Sequence, residues 1–297
     1  MLKNSRYILF TWISCCVLFC TTTFARSYDD IISSNKISIA VYENFPPFSY
    51  LENGKEKGID VELAQHIAKQ LGVKLDLRWT GADEDVEGDL RNNLWKGHKI
   101  DRTLADLMLR IPYDKDYTLL LDDVGLPVHE HVHMFAPYHT ETWKIIFNSK
   151  KIESVSTMAT FMYHNIGVEV DSIPQFYMMS AFKGRMREKT QHFPSISLAI
   201  SAMQENSVDA VMGLRSQISH FQDKLNATDY KLATNAFPMM GQQQWDLGMA
   251  IKKDYRQLGY AVADIVESAV TTGLMKKLFS KYGAIYQAPS LYSLKEE

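Results

Sequence analysis

Apolar residues alternate along Lys36-Ile37-Ser38-Ile39-Ala40-Val41, placing Ile37, Ile39 and Val41 on one face, and this pattern predicts a strand. The strand runs into an aromatic, proline-rich loop from Tyr42 to Tyr50, followed by a turn at Asn53-Gly54. Beyond it the spacing changes to three and four: Leu63, Ala64, Ile67, Ala68 and Leu71 form the inner face of a helix, with Asp60 as its cap and Gly72 just past its end. Val73 to Trp79 predicts a second strand. Strand, helix and strand in that order make a right-handed parallel unit, so the fold class is α/β.

The pattern then repeats at a distance. Asp89 to Trp95 predicts a helix, Gly97 breaks it, and the chain enters an apolar strand at Ala105-Asp106-Leu107-Met108-Leu109-Arg110. In the second half, Ser197 to Gln204 predicts a helix, Asn206-Ser207 breaks it, and Val208-Asp209-Ala210-Val211-Met212 follows. A helix, a turn and a buried strand opened by an acidic residue occur twice, which points to two similar α/β lobes. Neither strand alternates in polarity, as expected when both faces are covered. Tyr255 to Tyr282 predicts two amphipathic helices separated near Thr272-Gly273, and the last residues look like an irregular tail.

The first twenty-five residues differ from the rest. Lys3 and Arg6 precede an apolar run from Tyr7 to Cys20, and Thr21-Thr22-Thr23-Phe24-Ala25 offers small residues where a signal peptidase reads, which is the layout of a secretory signal peptide cleaved after Ala25. The run is shorter than the roughly 20 residues a membrane-crossing helix needs. All three cysteines, Cys15, Cys16 and Cys20, lie inside this segment, so the mature chain has no disulfide and no thiolate metal site. Cleavage removes two basic residues and no acidic one, moving the net charge from −3 to −5. That balance argues against a nucleic-acid partner, and the expected location is the periplasm.

Gly58-Ile59-Asp60-Val61-Glu62-Leu63, continuing through Ile67-Ala68 to Leu71, resembles the signature of the family 3 extracellular solute-binding proteins. Further landmarks fall in the family's order: Pro46-Pro47-Phe48, Phe135-Ala136-Pro137-Tyr138, Val208-Asp209-Ala210-Val211, and Gly273 with Phe279 to Gly283. The resemblance spans residues 36 to 285 and implies a two-lobed periplasmic-binding-protein clamshell. Each lobe would be a mixed, mostly parallel sheet flanked by helices, joined to the other by a two-strand hinge near Thr142 to Phe147 and Gly248 to Lys252. Lobe 1 would comprise residues 36–140 and 247–285, lobe 2 residues 141–246, with 286–297 as a tail. Ligand would sit between the lobes at the C-terminal ends of the strands.

Two departures from the family pattern bear on the ligand. Amino-acid binders of the family hold the ligand carboxylate with an arginine in a Thr-x-x-Arg stretch, where this chain has Pro127-Val128-His129-Glu130-His131-Val132-His133. They hold the ammonium with an aspartate after the second-lobe strand, where this chain has Leu214. The resemblance therefore implies a receptor for a small polar molecule other than a standard α-amino acid, working with an ABC transporter permease, as a monomer without cofactor or stable membrane insertion. Residues Ala105 to Pro112 and the loss of both clamp residues also resemble the binding-protein-like partners of periplasmic quinoprotein dehydrogenases, which would make the partner a dehydrogenase.

The candidate ligand-contacting residues are Tyr42, Phe45 and Phe48 in the loop leaving the first strand, Arg110 and Arg215 after buried strands, Glu169 and Ser172 after the strand at Asn165 to Val168, and Tyr138 and Trp245. The arginines would recognise an anion, and Ser172 would stand at a helix N-terminus. His129, His131 and His133 would share one face of an extended stretch, a pattern that could ligate zinc or copper but is more often that of a solvated strand. No nucleophile elbow, phosphate loop or zincin motif is present. The remaining enzymatic alternative is a cyclohexadienyl-dehydratase-like reaction with Glu169 as general acid.

Overall fold

The structure, a computed structural model, describes residues 25–100 and 102–293. The expected signal peptide lies outside the described residues except for Ala25. The very next residue, Arg26, is tied down: its guanidinium pairs with Asp106 at 2.5 Å and donates to the Lys36 carbonyl at 2.9 Å.

The chain begins with α1 (Tyr28–Ser34), opened by a reciprocal capping box between Ser27 and Asp30. Then come β1 (Lys36–Tyr42), a hairpin of β2 (Tyr50–Glu52) and β3 (Lys55–Lys57), α2 (Ile59–Leu71) and β4 (Lys74–Thr80). The cap of α2 is Gly58 rather than Asp60, which instead lies buried in the first turn. Next is α3 (Val86–Leu90), begun by the Asp85 cap and continued by a π turn through Trp95, then β5 (Leu107–Tyr113), α4 (Lys115–Thr118) and β6 (Val132–Asn148).

The second half comprises β7 (Ile166–Glu169), α5 (Ile173–Gly184), β8 (Thr190–Phe193), α6 (Ile196–Gln204), β9 (Ala210–Leu214), α7 (Arg215–Asp223) and β10 (Tyr230–Leu232). It is followed by β11 (Gln244–Lys252), α8 (Arg256–Thr271), α9 (Leu274–Lys281) and α10 (Ser290–Ser293).

The main sheet runs in the order β4-β1-β5-β11-β6-β9-β7-β8, with β10 added to β6. β1 is parallel to β4 and β5, and β7 is parallel to β8 and β9. β6 joins the two halves: Val132 to Thr142 pair with β11, and Trp143 to Phe147 pair with β9. The return crossing lies before the hinge segment expected at Gly248 to Lys252, because Asp246 to Ala250 already pair with β5.

Each lobe has its own core. In lobe 1, Ile37, Ile39, Leu63, Ile67 and Leu107 pack with Leu258, Val262, Met275 and Phe279, so the first and last parts of the chain build one interior. In lobe 2, Ile145, Phe161, Ile166, Val168 and Met212 cover one face of the sheet, and Ile196, Ala199, Met203 and Val211 the other.

The internal repeat has a physical basis. Asp106 accepts from the Ser38 backbone N–H at 2.8 Å, and Asp209 accepts from the Asn165 backbone N–H at 3.2 Å. Each aspartate precedes its strand and clips it to the entry of the neighbouring one, which moves β5 and β9 two residues later than the apolar pattern predicts.

The expected irregular tail is partly structured. The Thr140 backbone N–H donates to Gln287 O at 2.9 Å and Ile285 N–H to Ser219 Oγ at 2.9 Å, so residues 285–288 lie against both β6 and α7.

Candidate functional site

A cavity of about 420 Å³ lies where the lobes face each other. Tyr42, Glu43 and Phe45 enter it from the end of β1, Gly81 and Ala82 from the end of β4, Glu169 from the end of β7, and Pro194 and Ser195 from the approach to α6. These are the C-terminal ends of parallel strands in both lobes, the usual place for a ligand in such sheets.

Glu169 is the lobe-2 carboxyl in this cavity. Burial raises its pKa to about 7, and its side chain has no hydrogen bond or ion pair among the described residues. Ser172 stands at the start of α5 as expected, where its hydroxyl donates to Glu169 O at 2.6 Å and accepts from Gln175 N–H as the helix cap. Ser195 caps α6 in the same manner by accepting from Leu198 N–H.

On the lobe-1 side the aromatic loop is held rigidly. Phe45 and Ser49 exchange backbone hydrogen bonds, Ser49 Oγ donates to Tyr42 O at 2.6 Å, and the Asp60 N–H donates to Phe48 O at 2.8 Å. Tyr42 donates its hydroxyl to Asp89 at 2.6 Å. Burial and the adjacent Asp89 carboxyl push the Tyr42 pKa well up, and burial raises that of Asp89. Phe45 stands between Tyr42 and Phe48, with ring centroids 6.2 and 5.1 Å away. Phe48 itself is fully buried in the lobe-1 core and does not line the cavity.

Arg110 lies within β5 rather than after it. Leu109 pairs with Met249 and Ile111 with Gly248, leaving Arg110 as the extra residue of a β-bulge with φ of 63°. The bulge aims its guanidinium over the Phe48 ring at 3.5 Å and towards Asp60, whose Oδ2 is 3.8 Å from Nε. Asp60 Oδ1 accepts from the Tyr138 hydroxyl at 3.1 Å. Burial lifts Asp60 to about 6 in spite of Arg110. Arg110 and Tyr138 are thus interior groups beneath the aromatic loop, 7% and 0% exposed.

Where β6 passes between lobes, His139 and Glu141 are both fully buried, with His139 Nε2 3.5 Å from Glu141 Oε2. Ser216 donates its hydroxyl and its N–H to Glu141. Burial pushes the Glu141 carboxyl up, but His139, Ser216 and Arg110 outweigh it and hold the group below the usual range. Arg215 begins α7, where its guanidinium donates to Thr140 O at 2.9 Å and Gln287 Oε1 at 2.8 Å. Trp245 stacks on Trp143 at 4.7 Å against the lobe-2 core. Arg215 and Trp245 therefore serve the crossing and do not line the cavity.

The histidines do not share a face. His129 and His131 lie in the turn before β6, since the strand begins only at Val132. His129 packs on Tyr117, His131 on Trp95 and His133 on Phe135. No group of three or more potential metal ligands occurs among the described residues.

Glu43, Ala82 and Ser195 were not singled out in the sequence, although Glu43 and Ala82 follow the ends of strands just as Tyr42 does.

Residues 37–94 match the profile of the bacterial extracellular solute-binding proteins, family 3. The matched stretch runs from β1 into the π turn after α3. It is 23% identical to the probable ABC transporter arginine-binding protein ArtJ of Chlamydia trachomatis serovar D, over 95% of this chain and 97% of that one. The amino acid ABC transporter substrate-binding protein AbpA of Streptococcus pneumoniae, solved with L-arginine, superposes with a TM-score of 0.61 at 22% identity, covering 86% and 97% of the two chains. The arginine-, lysine-, histidine-binding protein ArtJ of Geobacillus stearothermophilus superposes with a TM-score of 0.60 at 19% identity, covering 88% and 99%. These similar proteins are binding proteins, and no helix among the described residues is long and apolar enough to cross a membrane.

Proposed function

We propose that this chain is an exported solute receptor of an ABC transporter that closes its lobes on a small polar ligand other than a standard α-amino acid. The observation that carries the reading is the interlobe cavity, whose charged side chains are the carboxyls Glu43 and Glu169. An α-amino acid needs a cation for its carboxylate and a carboxylate for its ammonium. Leu214, at the position of the family's aspartate, packs against both lobe cores instead. The named relatives support the receptor role, and their arginine ligand is a property of those proteins.

A thermal-shift screen of the mature protein against amino acids, organic acids, amines and sugars tests this. A true ligand adds RT ln(1 + [L]/Kd) of stability, about 2.7 kcal/mol at a hundredfold excess over Kd. Strong stabilisation by arginine, lysine or histidine overturns the exclusion of α-amino acids, whereas a flat response to every class overturns the receptor role.

A second reading, an accessory protein of a periplasmic dehydrogenase, is favoured by one observation: Leu119, Leu121, Val124 and Leu126 are 56–78% exposed in the segment after α4. A flat ligand screen together with recovery of a dehydrogenase in pull-downs, lost on Leu121→Ser, selects it.

A further inference from the structure

We propose that the cleft recognises its ligand as an organic cation, an ammonium or guanidinium group with no adjacent carboxylate, held between Glu169 and Glu43 against the ring of Phe45. The inference rests on the reading of the interlobe cavity as the ligand site.

The geometry supports it from both lobes. Glu169 enters from the end of β7 and Glu43 from the end of β1, and among the described residues no lysine, arginine or histidine lines the cavity between them. The Glu169 carboxyl is unpaired and largely withdrawn from water, and burial raises its pKa to about 7. An incoming ammonium or guanidinium supplies the missing partner through a charge-assisted hydrogen bond. Because one carboxyl belongs to each lobe, a cation bound to both draws the lobes together. Phe45 offers an aromatic ring at the same wall, a surface that favours cations.

The two arginines nearest the crossing do not line the cavity. Arg110 faces Asp60 and lies over Phe48, beneath the loop rather than in the cavity. Arg215 is committed to Thr140 and Gln287. Of the hydroxyls at the two lobe-2 helix starts, Ser172 donates to Glu169 O and Ser195 caps α6, and neither carries a charge. Among the described residues, nothing lining the cavity carries the positive charge that would neutralise a ligand carboxylate.

A matched set of probes decides the matter: agmatine, arginine, which is agmatine with a carboxylate added, and succinate. Binding is measured by calorimetry and lobe closure by small-angle scattering, on the mature wild-type chain at pH 8. The expected result is closure with agmatine and at least tenfold weaker binding of arginine. Glu169→Gln should weaken agmatine by roughly ten- to hundredfold, while Glu130→Gln, at an exposed site beside His131, leaves it unchanged. A melting temperature for Glu169→Gln no lower than that of the wild type shows that the loss is one of recognition. Tighter binding of arginine or succinate than of agmatine, or unchanged agmatine binding by Glu169→Gln, overturns the cation inference and leaves the receptor reading standing. No closure with any of the three, and none in the wider screen, removes both.

Discussion

Gly58 is the position where one methyl group should do most damage. Its φ of 127° and ψ of 166° fall in a region open essentially to glycine, and a Cβ there would stand 2.1 Å from Phe48 O, 2.4 Å from Phe48 C and 2.7 Å from Ser49 N. All three are backbone atoms, so no side-chain rotation relieves the clash. Gly58→Ala must push the aromatic loop off the start of α2, breaking the Ile59 N–H bond to Pro47 O and the Asp60 N–H bond to Phe48 O. The backbone conformation costs about 1–3 kcal/mol and the two hydrogen bonds about 1 kcal/mol each, for a total of about 3–5 kcal/mol. At about 2–4 °C per kcal/mol for a domain of this size, the melting temperature should fall by roughly 6–20 °C. The control is Gly72→Ala, at φ 71° with no atom within 4 Å of the new Cβ, for which about 1 kcal/mol is expected. Urea unfolding of the mature variants, followed by tryptophan fluorescence, gives both numbers. A Gly58→Ala loss no larger than that of Gly72→Ala would refute the steric argument.

Three further perturbations test other parts of the structure. Burial raises Glu169 from 4.5 to about 7, so the folded state holds this proton more tightly than the unfolded chain. The resulting stability is present below pH 4.5 and is lost as pH rises to 7, on the order of 3 kcal/mol. Glu169→Gln should remove that part of the slope in denaturation curves without ligand, and an unchanged slope refutes the assignment. Arg215→Ala deletes the bonds to Thr140 O and Gln287 Oε1; about 2 kcal/mol should be lost, with faster hydrogen exchange at residues 285–288. Gly248→Ala places a Cβ 2.6 Å from Phe135 O, whereas Gly241→Ala meets nothing within 4 Å. The first should therefore cost about 2 kcal/mol in thermal unfolding and the second almost none.

The helical parts of the fold were the most legible. The three-and-four spacing of Leu63, Ala64, Ile67 and Ala68 defines α2 because one apolar face meets one core. Its start was misread because Gly58 acts by steric fit against Phe48, a relation between segments that local propensity does not encode. Asp106 and Asp209 displaced β5 and β9 by bonding to neighbouring strands, again through tertiary contacts. The cavity was legible where a loop simply follows a strand, as at Tyr42, Phe45 and Glu169. It was not legible at Phe48, which the same loop folds inward, nor at Arg110, whose direction depends on a bulge visible only once β11 is in register beside β5. The strap of residues 285–288 has no periodicity at all and is specified by its partners on β6 and α7.

The interior of lobe 1 joins Ile37, Ile39 and Leu63 to Leu258, Val262 and Phe279, whereas that of lobe 2 uses one uninterrupted stretch. A chain that emerges N-terminus first can complete lobe 2 while the earlier half is still waiting for its last helices. Until α8 and α9 arrive, the apolar face of β1 and α2 has no cover, and a partly made chain carries an adhesive surface beside a finished lobe. The time between the two lobes, set by the rate at which the final stretch is delivered, is therefore the period when this protein is most exposed to aggregation and proteolysis.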